Sequence, residues 1–168
     1  AGKSTLMNAL TEIDTFVEDK LFATLDTKTS ICKLENGKKV LMSDTVGFIQ
    51  KLPHHLVSSF KATLEEARHA DLLLHVADMS SPLVHKQIEA VNAVLKELGC
   101  DKKAPIMVLN KIDAIKEDAI IPLLQSRYKD CILISAKTHQ GIQDLKRRIE
   151  KMLERSFMDV ELTCSTGN

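Results

Sequence analysis

The stretch AGKSTLMNAL, residues 1–10, places a Gly-Lys-Ser-Thr run directly before an apolar helical pattern. Gly-Lys-Ser before a helix is the closing half of the phosphate-binding loop pattern G-x-x-x-x-G-K-S/T. Backbone N–H groups at the start of such a helix attract phosphate oxygens, because the helix dipole is positive there. The residues predicted to bind phosphate in this stretch are Ala1, Gly2, Lys3, Ser4 and Thr5.

The composition is that of an ordinary globular domain. The chain has 168 residues, 44% hydrophobic and 27% charged, which suits one domain with one core. The formal net charge is zero, so no bulk field draws the chain towards nucleic acid or a membrane, and RNA binding would require a local patch. The 4 cysteines show no C-x-x-C spacing, which argues against a disulfide or zinc framework.

Apolar runs and helical patterns alternate along the chain. Short runs without period-2 alternation are typical of strands that are buried on both faces. They cover Lys39–Ser43, Asp71–Ala77, Ile106–Leu109 and Cys131–Ile134. A fifth segment, Ser30–Glu35, does alternate, and it turns at Asn36-Gly37 into the next run, which predicts an antiparallel hairpin.

Apolar residues at helical spacing fill the intervals between these runs. The patterns begin at Leu56, Val84 and Ile142, and the second ends at Gly99, a helix-stop signal. Strands that alternate with helices predict an α/β fold with a doubly wound, mostly parallel sheet and helices on both faces. Together with the phosphate-loop pattern, this is the architecture of a P-loop NTPase.

Polar motifs follow three of the apolar runs, where the carboxyl ends of parallel strands share one edge. They are Asp44-Thr45-Val46-Gly47, Asn110-Lys111-Ile112-Asp113 and Ser135-Ala136-Lys137. Each motif alone also fits a helix cap, a turn or a solvated charge. All of them in this order at strand ends, with the Gly2-Lys3-Ser4 turn, predict a guanine-nucleotide site.

The phosphate side of this site is assigned to four residues. Lys3 would reach the β- and γ-phosphates, and the Ser4 hydroxyl would ligate Mg²⁺. Asp44 would hold the metal through water. Gly47 has no side chain, so its N–H can approach the γ-phosphate closely.

The base side is assigned to the two later motifs. The Asp113 carboxylate would accept paired hydrogen bonds from guanine, and adenine has no matching amino group, which argues against an ATP-using protein. Lys111 would cover the base and Asn110 would brace the loops. The Ala136 N–H would donate to the guanine carbonyl.

Two further stretches carry a family resemblance. The segment EDKLFATLDTKT and the segment SDTVGFIQKLPHHLVSSFKATLEEARHADLLLHVAD closely resemble the HflX family of translational GTPases. The resemblance covers nearly the whole chain, and it implies a cytoplasmic, monomeric, Mg²⁺-dependent GTPase that binds the large ribosomal subunit and splits or rescues stalled ribosomes. It also implies that Phe22, Ala23, Thr24, Leu25 and Asp26 form a first switch.

The resemblance completes the expected site. Thr24 would add its hydroxyl to the metal shell, so the expected metal set is Ser4, Thr24 and, through water, Asp44. The expected catalytic set is Lys3, Thr24 and Gly47. A switch that is ordered by the γ-phosphate is the usual timer of such proteins.

Phe48 follows the Asp-Thr-Val-Gly motif, where Ras-like GTPases hold a glutamine that orients the attacking water. A phenyl ring cannot orient water. The sequence therefore predicts slow intrinsic hydrolysis that a ribosome accelerates. His54 and His55 could form a general base or a metal pair, but adjacent histidines at a helix start point apart, which favours a simple helix entry.

The expected organisation is a GTPase domain over residues 1–155 and the start of a C-terminal segment over 156–168. Residues 1–5 supply only the closing half of the loop, so the domain is expected to lack its first strand, which would lie between the Lys39 and Leu72 strands. Two hypotheses therefore stay open. The chain is either the GTPase core of an HflX-like factor or a non-enzymatic fragment that binds nucleotide weakly or not at all.

Overall fold

A computed structural model describes residues 1–11, 28–44, 67–97, 99–100, 103–115 and 120–157. Helices and strands alternate over most of this range, as predicted. The elements in chain order are α1 (Lys3–Thr11), β1 (Lys28–Lys33), β2 (Lys39–Asp44), β3 (Leu74–Asp78), α2 (Val84–Glu97), β4 (Ile106–Asn110), a 3-10 turn (Ile112–Ala114), α3 (Ile120–Arg127), β5 (Ile132–Leu133) and α4 (Ile142–Phe157).

The three later strands form a parallel sheet in the order β3-β4-β5. Leu74 pairs with Ile106 at one end of the first ladder and Asp78 pairs with Asn110 at the other. Four of the five β4 residues are buried, because helices cover both faces of the strand. This confirms the prediction of a parallel sheet from unalternating apolar runs.

The two earlier strands form an antiparallel hairpin, also as predicted. Its turn contains Gly37 at φ 81°, and the Asn36 side chain accepts a hydrogen bond from the Lys38 N–H at 2.9 Å. The Leu34 N–H bonds to the Lys38 carbonyl at 2.9 Å, so the turn already includes Leu34. For that reason β1 ends at Lys33, two residues earlier than the sequence indicated.

Two apolar cores lie on opposite faces of the parallel sheet. The first joins both sheets to α1 and α4 through Leu10, Cys32, Val108 and Leu145. The second packs β3 and β4 against α2 and α3, and its buried members are Ala77, Val84, Ile88, Leu109 and Leu124. Helices on both faces confirm the doubly wound α/β architecture.

Within the described ranges, side chains rather than a backbone ladder join the hairpin to the parallel sheet. In the described part of the chain, no strand pairs with both β2 and β3. This is the place where the sequence indicated a further strand. The two sheets are held together here by the shared core around α1 and by polar contacts at one edge.

Other elements also differ from the sequence expectation: β3 begins at Leu74 and not at Asp71, and the helix α3 was not predicted. α3 lacks a clear stripe, and Pro122 falls in its first turn, where the backbone N–H groups have no partner within the helix and proline is tolerated. β5 contains only Ile132 and Leu133, because the Cys131 N–H bonds back to Tyr128 in a turn. α4 begins at Ile142, as the helical pattern predicted, and continues to Phe157. Among the residues described, no helix has the length and apolar character needed to cross a membrane.

His75 is a buried titratable group in the second core. It lies in β3, and its Nδ1 has no hydrogen-bond partner among the described residues. Burial lowers the pKa of the imidazole below its ordinary value of 6.5, against the opposing effect of the Asn92 side chain. The native state therefore favours the neutral ring.

We expect acidification to destabilise the protein through His75, because the unfolded chain binds a proton there that the native state excludes. The loss begins as the pH falls through about 6.5 and ends below the lowered native pKa, with a limiting slope of about 1.4 kcal/mol per pH unit. Urea denaturation between about pH 7.5 and about 5.5 measures this loss, and His75→Met should reduce it. His139→Asn, at an exposed histidine, serves as the control. An unchanged pH dependence in His75→Met would contradict the assignment.

Candidate functional site

One buried amide joins three of the predicted motifs. Asn110 is the last residue of β4 and is 1% exposed. Its Nδ2 donates to the Ala1 carbonyl at 3.0 Å, and its Oδ1 accepts from the Ala136 N–H at 3.0 Å. The loop before α1, the end of β4 and the loop after β5 therefore converge at a single side chain. In this structure the Asn110 side chain therefore links these loops by hydrogen bonds.

The Asp113 carboxylate is fixed beside this junction. The Ser135 hydroxyl donates to Asp113 Oδ1 at 2.6 Å, and it accepts from the Thr138 N–H at 3.1 Å. Ser135 is fully buried, whereas Asp113 lies in an exposed 3-10 turn. A buried hydroxyl thus orients an exposed carboxylate, which leaves the outer side of Asp113 facing solvent.

Gly2 and Asn110 are in close contact at the start of α1. Gly2 has φ 76°, and a Cβ at this position would lie 2.7 Å from Asn110 Nδ2. Only glycine therefore allows this turn beside the amide. The Gly2 carbonyl accepts the first helical hydrogen bond, from the Leu6 N–H at 2.9 Å, so the helix begins at once with Lys3, Ser4 and Thr5 in its first turn.

Ser4 and Asp44 meet at the same edge. The Ser4 hydroxyl donates to Asp44 Oδ2 at 2.7 Å, which links the first turn of α1 to the end of β2. A hydroxyl that donates its proton to a carboxylate keeps its lone pairs for a cation. Hydroxyl and carboxylate oxygens are the ligands that Mg²⁺ prefers, with phosphate and water completing the shell. The two residues therefore fit the predicted metal role.

Lys111 has an ion-pair partner that the sequence analysis did not include. Its Nζ lies 2.6 Å from Oδ2 of Asp78, the last residue of β3. Burial raises the pKa of Asp78, but the Lys111 ammonium and hydrogen bonds from Ser80 outweigh it and hold that pKa below its ordinary value. Asp78 directly follows the predicted apolar run Asp71–Ala77, and this position is the sequence signal that could have identified it.

The Ala136 N–H differs from its expected role. It was expected to donate to the guanine carbonyl, but it donates to Asn110 Oδ1 in this structure. A bound carbonyl would have to share this donor or use the next N–H along the loop, that of Lys137. Ile112 lies between Lys111 and Asp113 in the 3-10 turn, and its N–H donates to the Ile134 carbonyl at 3.2 Å.

The other predicted site residues lie outside the described part of the chain. They include the expected switch residues Phe22, Ala23, Thr24, Leu25 and Asp26, and the motif residues Thr45, Val46 and Gly47. Phe48, His54 and His55 are also outside it. Among the residues that the structure describes, no group of three His, Cys, Asp or Glu side chains could hold a metal ion.

Comparison with known proteins agrees with this geometry. The profile of the family described as "50S ribosome-binding GTPase" matches residues 1–111. The chain belongs to this family. The resemblance to HflX is confirmed by the GTPase HflX of Chlamydia pneumoniae, which is 48% identical over 96% of this chain, and by that of Flavobacterium psychrophilum, 56% identical over 68% of it. The chain spans about a third of the length of these relatives, 34% and 28% respectively.

Solved structures share the fold of this family member. SsGBP in complex with GDP superposes with a TM-score of 0.71 at 28% identity, over 92% of this chain and 47% of that one. The G domain of the T. maritima FeoB iron transporter gives a TM-score of 0.61 at 26% identity, over 90% of this chain and 91% of that one. Both confirm a P-loop GTPase fold.

We expect Asn110→Ala to lower the free energy of unfolding by about 2–3 kcal/mol. The substitution leaves the buried Ala136 N–H and the Ala1 carbonyl without their shared partner, and an unpaired buried group costs about 1–3 kcal/mol. Denaturant titration measures the change. Asn36→Ala, which removes one exposed hydrogen bond, should cost less than about 1 kcal/mol. Equal losses in the two variants would show that Asn110 is not a structural junction.

Proposed function

We propose that the chain binds guanine nucleotide and hydrolyses GTP to GDP and phosphate. The observation that carries this proposal is the double engagement of Asn110. Its carboxamide donates to the Ala1 carbonyl, next to the Gly2 turn that we assign to phosphate. It also accepts from the Ala136 N–H, in the loop that lies beside the Asp113 carboxylate. Binding elements for phosphate and for base are therefore built into one rigid edge, and we assign this GTPase domain to residues 1–155.

Base selection rests on the exposed side of Asp113. A carboxylate can accept two hydrogen bonds from the ring N–H and the exocyclic amino group of guanine. Adenine offers no such pair of donors at the corresponding edge. Ser135 favours this arrangement because it fixes Asp113 Oδ1 at 2.6 Å and so limits the rotation of the carboxylate. The proposed base-binding residues are Asn110, Lys111, Ile112, Asp113, Ser135, Ala136 and Lys137.

Mg²⁺ is the proposed metal, held by the Ser4 hydroxyl and, through water, by Asp44. When bound, the ion would neutralise charge on the phosphates. The 2.7 Å hydrogen bond from Ser4 to Asp44 supports this because it orients the hydroxyl proton away from a cation. Thr24 is the third proposed oxygen ligand.

Hydrolysis is proposed to depend on Lys3, Thr24 and Gly47, which would contact the γ-phosphate. Phe48 stands where a water-orienting glutamine is found in Ras-like GTPases, so this chain supplies no such group at that position. Because of this difference, we expect GTP hydrolysis to be slow for the chain alone and faster with a partner.

The proposed partner is the large ribosomal subunit. The family description, "50S ribosome-binding GTPase", supports this assignment. By its similarity to HflX, we further propose a cytoplasmic, monomeric factor that splits or rescues stalled ribosomes.

Asp113→Asn tests the base assignment. An asparagine presents a donor where the carboxylate accepts, so we expect GTP affinity to fall by roughly 10-fold or more and preference to shift towards xanthosine nucleotides. Titration with fluorescent GTP and XTP analogues measures both affinities. Asp130→Asn, an exposed aspartate that precedes β5 at the opposite edge of the sheet, is the matched control. Unaltered GTP affinity in Asp113→Asn would refute the assignment, and no GTP binding by the unsubstituted chain would favour the non-enzymatic alternative.

Added large ribosomal subunits should accelerate GTP hydrolysis. A group supplied in trans can raise the rate by roughly 10³–10⁵, so an increase of about that size is expected. Single-turnover phosphate release with and without subunits measures it, and small subunits provide the control. A rate that large subunits leave unchanged would refute the partner.

A further inference from the structure

Asp78 contacts the proposed nucleotide site but has no role in the scheme above. It ends β3 directly beside Asn110, its partner in the parallel ladder. The Met79 N–H donates to the Asn110 carbonyl at 2.9 Å, which keeps the two strand ends together. Asp78 therefore lies on the same edge as the base-binding motif.

The two carboxylate oxygens of Asp78 have different partners. Oδ1 accepts from the Ser80 N–H at 2.9 Å and from the Ser80 hydroxyl at 2.5 Å. Oδ2 lies 2.6 Å from Lys111 Nζ. Because Ser80 fixes the carboxylate by two hydrogen bonds, Asp78 is a rigid anchor for the Lys111 ammonium.

Lys111 is held at both ends by these contacts. Its backbone has φ 69° at the start of the 3-10 turn, and its ammonium is bound to Asp78. Between these points the methylene chain passes the loop before α1, since a Cβ built on Gly2 would lie 3.8 Å from Lys111 Cε. The apolar stem therefore extends from the 3-10 turn past Gly2 to Asp78.

We infer that Asp78 is a positioning residue that holds the Lys111 stem as a flat apolar wall for the face of the purine ring. The inference rests on the proposed nucleotide binding and adds a residue to it. A free lysine side chain samples many rotamers, and each rotamer-rich side chain that is immobilised on binding costs affinity. The ion pair removes that cost before the nucleotide arrives.

The charge state of the pair suits this role. Burial of Asp78, whose side chain is 17% exposed, raises its pKa, but Lys111 and Ser80 together lower it below the ordinary value. The Asp78 carboxylate is therefore ionised at neutral pH. The Lys111 side chain is 42% exposed, so its outer side contacts solvent. Because the Lys111 end of the pair is exposed, solvent weakens its contribution to global stability, so its loss should affect binding more than folding.

Asp78→Asn is the decisive variant, because asparagine can still accept from Ser80 but cannot pair with an ammonium. We expect the affinity of the full chain for GDP to fall about 2- to 12-fold, which corresponds to about 0.5–1.5 kcal/mol of side-chain ordering. Inosine diphosphate, which lacks the exocyclic amino group, should lose affinity by the same factor, because the wall contacts the ring face. Asp71→Asn, an exposed aspartate beyond the other end of β3, is the matched control and should bind normally.

The double variant Asp78→Asn, Lys111→Ala separates positioning from a general structural effect. With the stem removed, loss of its anchor should cause no further loss of GDP affinity. Isothermal titration of the four proteins in this cycle measures the coupling. Additive losses, or a loss confined to GDP and not inosine diphosphate, would overturn the inference, as would normal binding by Asp78→Asn. Failure of the unsubstituted chain to bind any guanine nucleotide would instead overturn the proposed function itself.

Discussion

The site depends on the two hydrogen bonds of the Asn110 side chain. This carboxamide is almost fully buried, and its donor and acceptor are satisfied by backbone groups from loops 109 and 26 residues away in sequence. Neither bond can be lost cheaply, because a buried polar group without a partner costs about 1–3 kcal/mol. The strand β4 that carries Asn110 is packed on both faces, so the junction has a rigid base.

Each carboxylate at this edge has a partner that orients it. Asp44 accepts from Ser4, Asp113 accepts from Ser135, and Asp78 binds Lys111 and Ser80. For Asp44 and Asp113 the contact fixes one oxygen, whereas both oxygens of Asp78 have a partner. Such preorganisation matters for a ligand as polar as a nucleotide, because binding then does not require the side chains to be ordered.

The sequence predicted which residues meet at the edge of the proposed nucleotide site better than it predicted the helices and strands. The rule that polar residues after parallel strands converge holds for Asn110, Asp113 and Ser135. Asp44 reaches the same edge from the antiparallel hairpin, through its hydrogen bond with Ser4. Asp78 obeys the same rule but was missed, since a lone aspartate carries no motif. α3 was missed because it has no clear apolar stripe. The hydrogen bond from the Ala136 N–H to Asn110 Oδ1 depends on the rotamer of Asn110, which is distant in sequence. No local sequence pattern predicts that rotamer.

The arrangement of the two sheets implies that a bound nucleotide would also stabilise the fold. Among the described strands no backbone ladder joins the hairpin to the parallel sheet, so the shared core and the Ser4–Asp44 and Asn110–Ala1 contacts connect them. Of the proposed metal residues, Ser4 and Asp44 lie where α1 meets the hairpin, whereas Asn110 ends β4 of the parallel sheet and Asp113 follows it. A guanine nucleotide bound as we propose would therefore contact both sheets at once. Since a ligand that binds only the native state stabilises it, its binding energy would stabilise the contact between two sheets that no backbone ladder joins among the described residues.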